Sequence, residues 1–342
     1  MPGRPVTLAV VGATGAVGRA LLQAIEESEL EIAGLRLAAS ERSAGAELDF
    51  RGAPCRVDAL GAQTFRGADL AFLAATAGVS REWAPRAWSD GCPAIDLSPA
   101  FRADPEVPLV LPELDAGGVA GFRRRGVVAV PGAAAVQLAL VLAPLHAAAQ
   151  VERVVVSACV ADSGAGQRGV EELEQQTRAM MAFQEPPAPT AIPHRLAFNL
   201  VPQVGALGAG GAAEEERRLV EETRRLLGAR APLVSATALQ VPLFHGLAQT
   251  VNVRTARPLG AEAARGLLRA APGVKVLDLP AEGVYPMPML AVNDDAVLVG
   301  RIREDPSQAH GLDLVVAGDN LRRGAATTAL GVARLLLVAG LA

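Results

Sequence analysis

Two clusters of residues have the types and spacing to handle the phosphates of a nucleotide. The run Gly12-Ala13-Thr14-Gly15-Ala16-Val17-Gly18 follows the apolar stretch Val6 to Val11 and leads into helical spacing from Arg19 to Glu26. Glycines at a strand-to-helix turn let the backbone bend tightly and approach a pyrophosphate, whose charge the helix N-terminus favours. Taken alone, the same run also fits a plain structural turn, because a single glycine motif is unspecific. The second cluster, Ser40-Glu41-Arg42-Ser43, closes a strand expected over Ile32 to Ala38. An NAD site places a carboxylate here for the ribose 2′-hydroxyl, whereas an NADP site uses arginine and hydroxyls for the 2′-phosphate. Ser40, Arg42 and Ser43 therefore point to NADP, with Glu41 alternating out to solvent.

Other reactive residue types are sparse. Cys55, Cys92 and Cys159 form no disulfide framework, no CxxC pair and no cluster with histidine at metal-ligand spacing. A reducing cytoplasm and no metal are the expectations. His146 reads as a helix-surface group and His194 as a loop packing group. The net charge of −4 and the lack of a basic run argue against nucleic acid and favour a small-molecule ligand. The opening Met1-Pro2-Gly3-Arg4-Pro5 leads into a strand without a signal-like segment. Between Gly126 and Ala149 only Gln137 and His146 are strongly polar, a length that would cross a membrane. Pro131-Gly132 and Pro144 break that run into a buried strand, a turn and a core helix, so no membrane span is expected.

The elements that must carry these residues fall into two textures. Up to about Gly132, strands at Val6 to Val11, Ile32 to Ala38, Leu70 to Ala74 and Ala94 to Leu97 alternate with helical segments such as Ser80 to Ser89, as in a parallel sheet with crossover helices. Beyond Val151 come a strand to Val160, a charged helix over Val170 to Met181, and strands at Leu233 to Val241, Thr250 to Arg254, Leu298 to Ile302 and Leu312 to Ala317. These suit an α+β domain with a mixed sheet. Segments 185–193 and 205–213 read as surface loops. A last helix, about Ala325 to Leu341, should pack back on the first domain. At 342 residues the length also suits two domains. The expected division is 1–132 plus about 320–342 for a Rossmann-type dinucleotide-binding domain, and 133–319 for an α+β substrate and dimerisation domain.

Several further segments occur in one order along the whole chain: Asp96-Leu97-Ser98-Pro99-Ala100-Phe101-Arg102, Pro108 to Glu113, Ser157 to Gly166, Ala197-Phe198-Asn199 with Pro202-Gln203, Tyr285-Pro286-Met287-Pro288, Gly300 to Arg303 and Gly318 to Ala325. With the cofactor segments, they resemble the aspartate-semialdehyde dehydrogenase family. The resemblance implies an NADP-binding homodimer that reduces L-aspartyl 4-phosphate through a thioester on cysteine. It also implies Gly164 and Asn320 at the cofactor, and Arg102, Glu215 and Arg218 in binding the substrate or its phosphate, the last two matching a family Glu-x-x-Lys site.

Against that pattern the reactive positions are altered. Ala133 stands where the resemblance places the cysteine, with Gly132 on the preceding asparagine. Val160 occupies the active-site glutamine position, Gln240 the carboxylate-binding arginine position and Leu247 the catalytic histidine position. A methyl group has no lone pair with which to attack an acyl phosphate. The reading is a catalytically degenerate NADP-binding homologue. Its alternative is an active NADP-dependent oxidoreductase working through relocated residues, with Cys159 and His245 as the candidate pair. Strand alternation opposes the alternative, because it turns Cys159 away from the face of Val160.

Overall fold

The computed structural model describes residues 4–340, which divide into two compact units, one reaching to Gly132 and resuming at Ala325, the other spanning Ala133–Gly324. The opening Met1-Pro2-Gly3 and the expected helix end at Leu341 lie outside the described residues.

In the first unit the strands are β1 (Val6–Val11), β2 (Ile32–Ala39), β3 (Glu47–Phe50), β4 (Ala53–Ala59), β5 (Leu70–Leu73), β6 (Ala94–Asp96) and β7 (Val127–Ala129), and the first helices are α1 (Ala16–Glu26) and α2 (Ala77–Ser89). They form one seven-stranded sheet in the order β3-β4-β2-β1-β5-β6-β7, parallel throughout except where β3 pairs antiparallel with β4. Period-two alternation distributes β1 between two cores. Leu8 and Val10 pack with Leu21 and Ile25 of α1, while Ala9 and Val11 pack with Ala84 and Ala87 of α2. The hairpin β3–β4, unanticipated from the sequence, extends the sheet edge beyond β2.

The second unit begins with α3 (Ala133–Ala149), followed by β8 (Val151–Val160), α4 (Gln167–Met181), α5 (Glu214–Leu227), β9 (Leu233–Gln240), β10 (Leu247–Thr255), α6 (Ala261–Arg269), β11 (Val274–Val276), α7 (Pro288–Ala291), β12 (Val297–Glu304) and β13 (Gly311–Gly318). Its six-stranded sheet runs β11-β12-β13-β10-β8-β9, with β8–β9 and β11–β12 parallel and the other pairs antiparallel. Helix α3 is apolar nearly all round and correspondingly buried. It continues through Pro144 to Ala149, contrary to the expected interruption. A proline forfeits one backbone hydrogen bond, and burial on every side compensates for the loss. Val154, Val156, Ala158 and Val160 of β8 are buried, whereas Val155, Ser157 and Cys159 on the other face stay half-exposed.

The second crossing between units falls at Gly324/Ala325 rather than near 320. A π-helical turn over Arg322–Ala326 accounts for the shift: the Asp319 carboxylate accepts from the Leu321 and Arg322 amides and holds the start of the turn in the second unit. The last helix, α8 (Thr327–Val338), begins beyond that turn and packs Leu330, Ala333 and Leu336 into the α1 side of the first sheet.

Candidate functional site

The glycine turn at the end of β1 uses each glycine for a different physical reason. Gly12 has φ +82°, and a Cβ there would lie 2.2 Å from the Ala74 carbonyl oxygen. Gly18 packs so closely that its Cβ would meet the Gly12 carbonyl oxygen at 2.2 Å. Gly15 sits extended at the N-cap of α1, with no side chain capping the helix's first amides. Thr14, Ala16 and Val17 are half-buried around it. Beyond β2, Ser40 caps a single 3-10 turn over Glu41–Ser43, closed by the Ser43 amide donating to the Ser40 carbonyl at 2.8 Å. Arg42 and Glu41 are exposed, and Arg42 makes no hydrogen bond or ion pair among the described residues.

Also in the first unit, Asp96 at the end of β6 is fully buried. Burial raises its carboxyl above the usual range, against the hydroxyls of Ser80 and Ser98, the Ser98 amide and the Arg102 charge. Asp96 accepts from the Ser98 amide (3.1 Å) and hydroxyl (2.9 Å), and the Ser98 hydroxyl in turn accepts from the Ala100 amide. This folded loop turns the half-buried Arg102 back so that Nη2 donates to the Leu97 carbonyl at 2.8 Å.

In the second unit, strand register assembles residues far apart in the chain. Gln240 pairs with Val160, Val160 with Leu247, and Leu247 with Gly318, so the four form one cross-strand row on a single face. All are buried, Leu247 to 2% exposure. Helix α3 lies near the end of that row. Ala133, its first residue, is half-buried and fills the space that a Cβ on Gly324 would need, 2.3 Å from its own Cβ. One turn on, Gln137 presses against Gly318, fully buried, and neither polar atom of its amide has a partner among the described residues. Gln249 donates from Nε2 to the Ala134 carbonyl at 2.9 Å. Sequence reasoning had marked Gln137 only as a polar break in an apolar run.

Gly164, Glu215, Arg218 and Gln240 come together around a cavity of ≈ 430 Å³. Its wall from Ala191 to Pro193 is tied to α4, where the Glu172 carboxylate accepts from the Thr190 amide and hydroxyl (both 2.6 Å) and the Ala191 amide (2.9 Å). Gln176 Oε1 accepts from the Leu196 and Ala197 amides, extending the same seam. Helix α5 is fixed by Glu216, which takes the Ala213 and Ala238 amides. Arg218 pairs with Glu214, one turn away on α5. Asn320 spends its side chain inside this unit, accepting from the Gly246 amide (2.8 Å) and donating to the Ser163 hydroxyl (2.9 Å).

Cys159 pairs with Leu239 and Ala248 on the face opposite the row, and burial raises its thiol pKa. His245 is exposed in the turn between β9 and β10. His194, expected to pack, is also exposed. His146 is half-buried, its Nδ1 3.1 Å from the Val151 carbonyl. Among the described residues, no group of three or more His, Cys, Asp or Glu is gathered to hold a metal ion, and no helix is long and apolar enough to cross a membrane.

Residues 7–120 match the family described as semialdehyde dehydrogenase, NAD binding domain, and residues 142–323 that described as semialdehyde dehydrogenase, dimerisation domain. Similar relatives include the aspartate-semialdehyde dehydrogenases of Aquifex aeolicus, 41% identical over 335 residues (98% of each chain), and of Synechocystis, 38% identical over 336 residues (98% of each). The crystal structure of aspartate semialdehyde dehydrogenase II from Vibrio cholerae superposes with a TM-score of 0.94 at 34% identity, covering 98% of this chain and 99% of that one.

Proposed function

The chain belongs to the aspartate-semialdehyde dehydrogenase family, and from that premise we propose that it is a catalytically degenerate member that binds NADP and pairs as a homodimer. One observation carries the degeneracy: the buried row Gln240–Val160–Leu247–Gly318 and the adjoining Ala133 offer no nucleophile and no titratable base. Acyl transfer to an enzyme thiol needs an ionisable sulfur beside a group that moves protons. Neither type of side chain occurs in that row or at 133.

The cofactor reading rests on the fit of the first unit to a dinucleotide. Gly12, at φ +82° with the Ala74 backbone where a Cβ would lie, makes the tight turn into α1, and the uncapped N-terminus of α1 favours a pyrophosphate. Gly12, Thr14, Gly15, Ala16, Val17 and Gly18 would hold the phosphates, and Ser40, Arg42 and Ser43 the 2′-phosphate. When bound, this cofactor supplies or accepts hydride. The dimer reading rests on the matched dimerisation domain and on the half-exposed sheet face that carries Val155, Ser157 and Cys159.

The active alternative requires Cys159 to act from the other side of the sheet with a raised pKa. The deciding experiment is an NADP-linked assay of the unmodified chain with aspartate semialdehyde and phosphate. The expected outcome is cofactor binding without turnover above background. Robust phosphate-dependent NADP reduction would overturn the degenerate reading, and its loss in Cys159→Ser would establish the relocated nucleophile instead.

A further inference from the structure

Gln240 is held so that its amide can point only one way. Its backbone is clamped on both sides, by register with Val160 and by paired hydrogen bonds with Val201 at 2.8 and 3.0 Å. Its side chain is 3% exposed, and Nε2 lies 3.2 Å from both the Ala161 carbonyl and Asp162 Oδ1. Both partners are acceptors, so the nitrogen must face them. Oε1 is left as the polar atom that Gln240 offers to the cavity it lines.

Asp162 cannot readily swing away to release that amide. It is 2% exposed, its amide donates to the Leu243 carbonyl at 2.8 Å, and its Oδ1 lies so close to α4 that a Cβ on Gly169 would approach it to 2.9 Å. The acceptor at Gln240 is thus backed by a carboxylate. Further round the wall, Arg218 supplies positive charge, tempered by Glu214 and facing the same space as Glu215. The volume of ≈ 430 Å³ suits a small molecule.

We propose that this cavity takes an amino-acid-sized ligand that presents a hydrogen-bond donor, a carboxamide or ammonium group, to Gln240, and that Asp162 excludes a free carboxylate there by fixing the glutamine's orientation. A carboxylate brought against Oε1 meets an acceptor where it needs a donor, and it leaves water without replacement hydrogen bonds. A carboxamide in the same place donates directly. The proposal rests on the functional reading above only in taking this cavity as the ligand site.

The test compares two probes that differ at one group, L-aspartate and its α-amide, by calorimetry on the full chain at neutral pH. The α-amide is expected to bind about tenfold or more tightly than aspartate. In Gln240→Arg, which turns the acceptor into a charged donor, aspartate should become the preferred probe. In Asp162→Ala one of the two acceptors that hold Nε2 is lost while the Ala161 carbonyl remains, so the preference should shrink without reversing. If that variant fails to fold, as read by circular dichroism, the unmodified chain and Gln240→Arg still decide. Aspartate binding as tightly as the α-amide to the unmodified chain overturns the proposal, as does binding of neither at millimolar concentration. Turnover of aspartate semialdehyde would refute the degenerate reading without touching this preference, because one experiment reads catalysis and the other reads affinity.

Discussion

Restoring the thiol alone should not restore an enzyme. Ala133 is half-buried at the start of α3, with its Cβ seated against Gly324, so a cysteine keeps that contact and adds only a sulfur. The variant Ala133→Cys should therefore fold. The variant would still carry Leu247 at the position that the family resemblance gives to the base, and base catalysis contributes about 10²–10⁴-fold. It would also carry Gln240 at the position that the resemblance gives to the carboxylate-binding arginine, whose charged hydrogen bond is worth about 1.5–3 kcal/mol or roughly 10–150-fold. Together these place the single variant about 10³–10⁶-fold below a chain that also carries Val160→Gln, Gln240→Arg and Leu247→His, treating the roles as independent. Groups that act as a unit are not additive, so most of the gain should arrive only when the last of the four is in place. The assay is initial-rate NADP reduction with aspartate semialdehyde and phosphate, run on each intermediate variant. Activity of Ala133→Cys within tenfold of the fourfold variant would refute the argument that the row and Ala133 jointly define the lost chemistry.

Arg42→Ala should weaken NADP(H) about 10- to 150-fold, the range for a charge-assisted hydrogen bond, while leaving NAD(H) unchanged. Fluorescence titration checks this, and equal losses for both cofactors would remove the 2′-phosphate assignment. Cys92 is fully buried, and desolvation lifts its thiol from about 9 to about 12, so it should resist alkylation in the folded chain at pH 8. Because the folded pKa is raised, the stability linked to Cys92 is present below pH 9 and is lost as pH rises from about 9 toward 12. Cys92→Ala should flatten that part of a pH-dependent denaturation curve. Light scattering at micromolar concentration should report a dimer with or without cofactor, and a stable monomer would contradict the pairing of the half-exposed sheet faces.

What was legible in the sequence is what depends on local pattern. The glycine turn, the alternation of β1 and the strand-turn-helix over 126–149 follow from periodicity and from residues with special backbone freedom. The β3–β4 hairpin was invisible because Glu47, Asp49, Arg56 and Asp58 dilute the apolar signal and Pro54 reads as a breaker. Pro144 also reads as a breaker, yet α3 passes through it because burial outweighs one lost hydrogen bond. The cross-strand row could not be read from spacing, since Val160, Gln240 and Leu247 become neighbours only through register. Asp162 gave no signal either. Its meaning depends on a glutamine from another strand, whose Nε2 it holds at 3.2 Å together with the Ala161 carbonyl.

On the degenerate reading proposed above, the same row explains why the fold tolerates the loss of catalytic groups. An active site holds polar and charged groups in buried places where they are costly unless fully paired. Here Leu247 is 2% exposed and Val160 6%, so both bury apolar surface against neighbours on one face. Putting histidine at 247 and glutamine at 160 replaces that packing with groups needing hydrogen-bond partners, at a cost of about 1–3 kcal/mol for each polar group left unmet. Gln240→Arg adds a guanidinium beside Asp162, which accepts it more readily as an ionised pair; desolvation chiefly, and then the Glu172 charge, raise the carboxyl of Asp162 against the Gln240 hydrogen bond. The fourfold variant that regains activity should therefore unfold at lower urea concentration than the natural chain, and Leu247→His alone should account for much of the loss. A rebuilt chain as stable as the original would mean that the row is not a relaxed apolar packing.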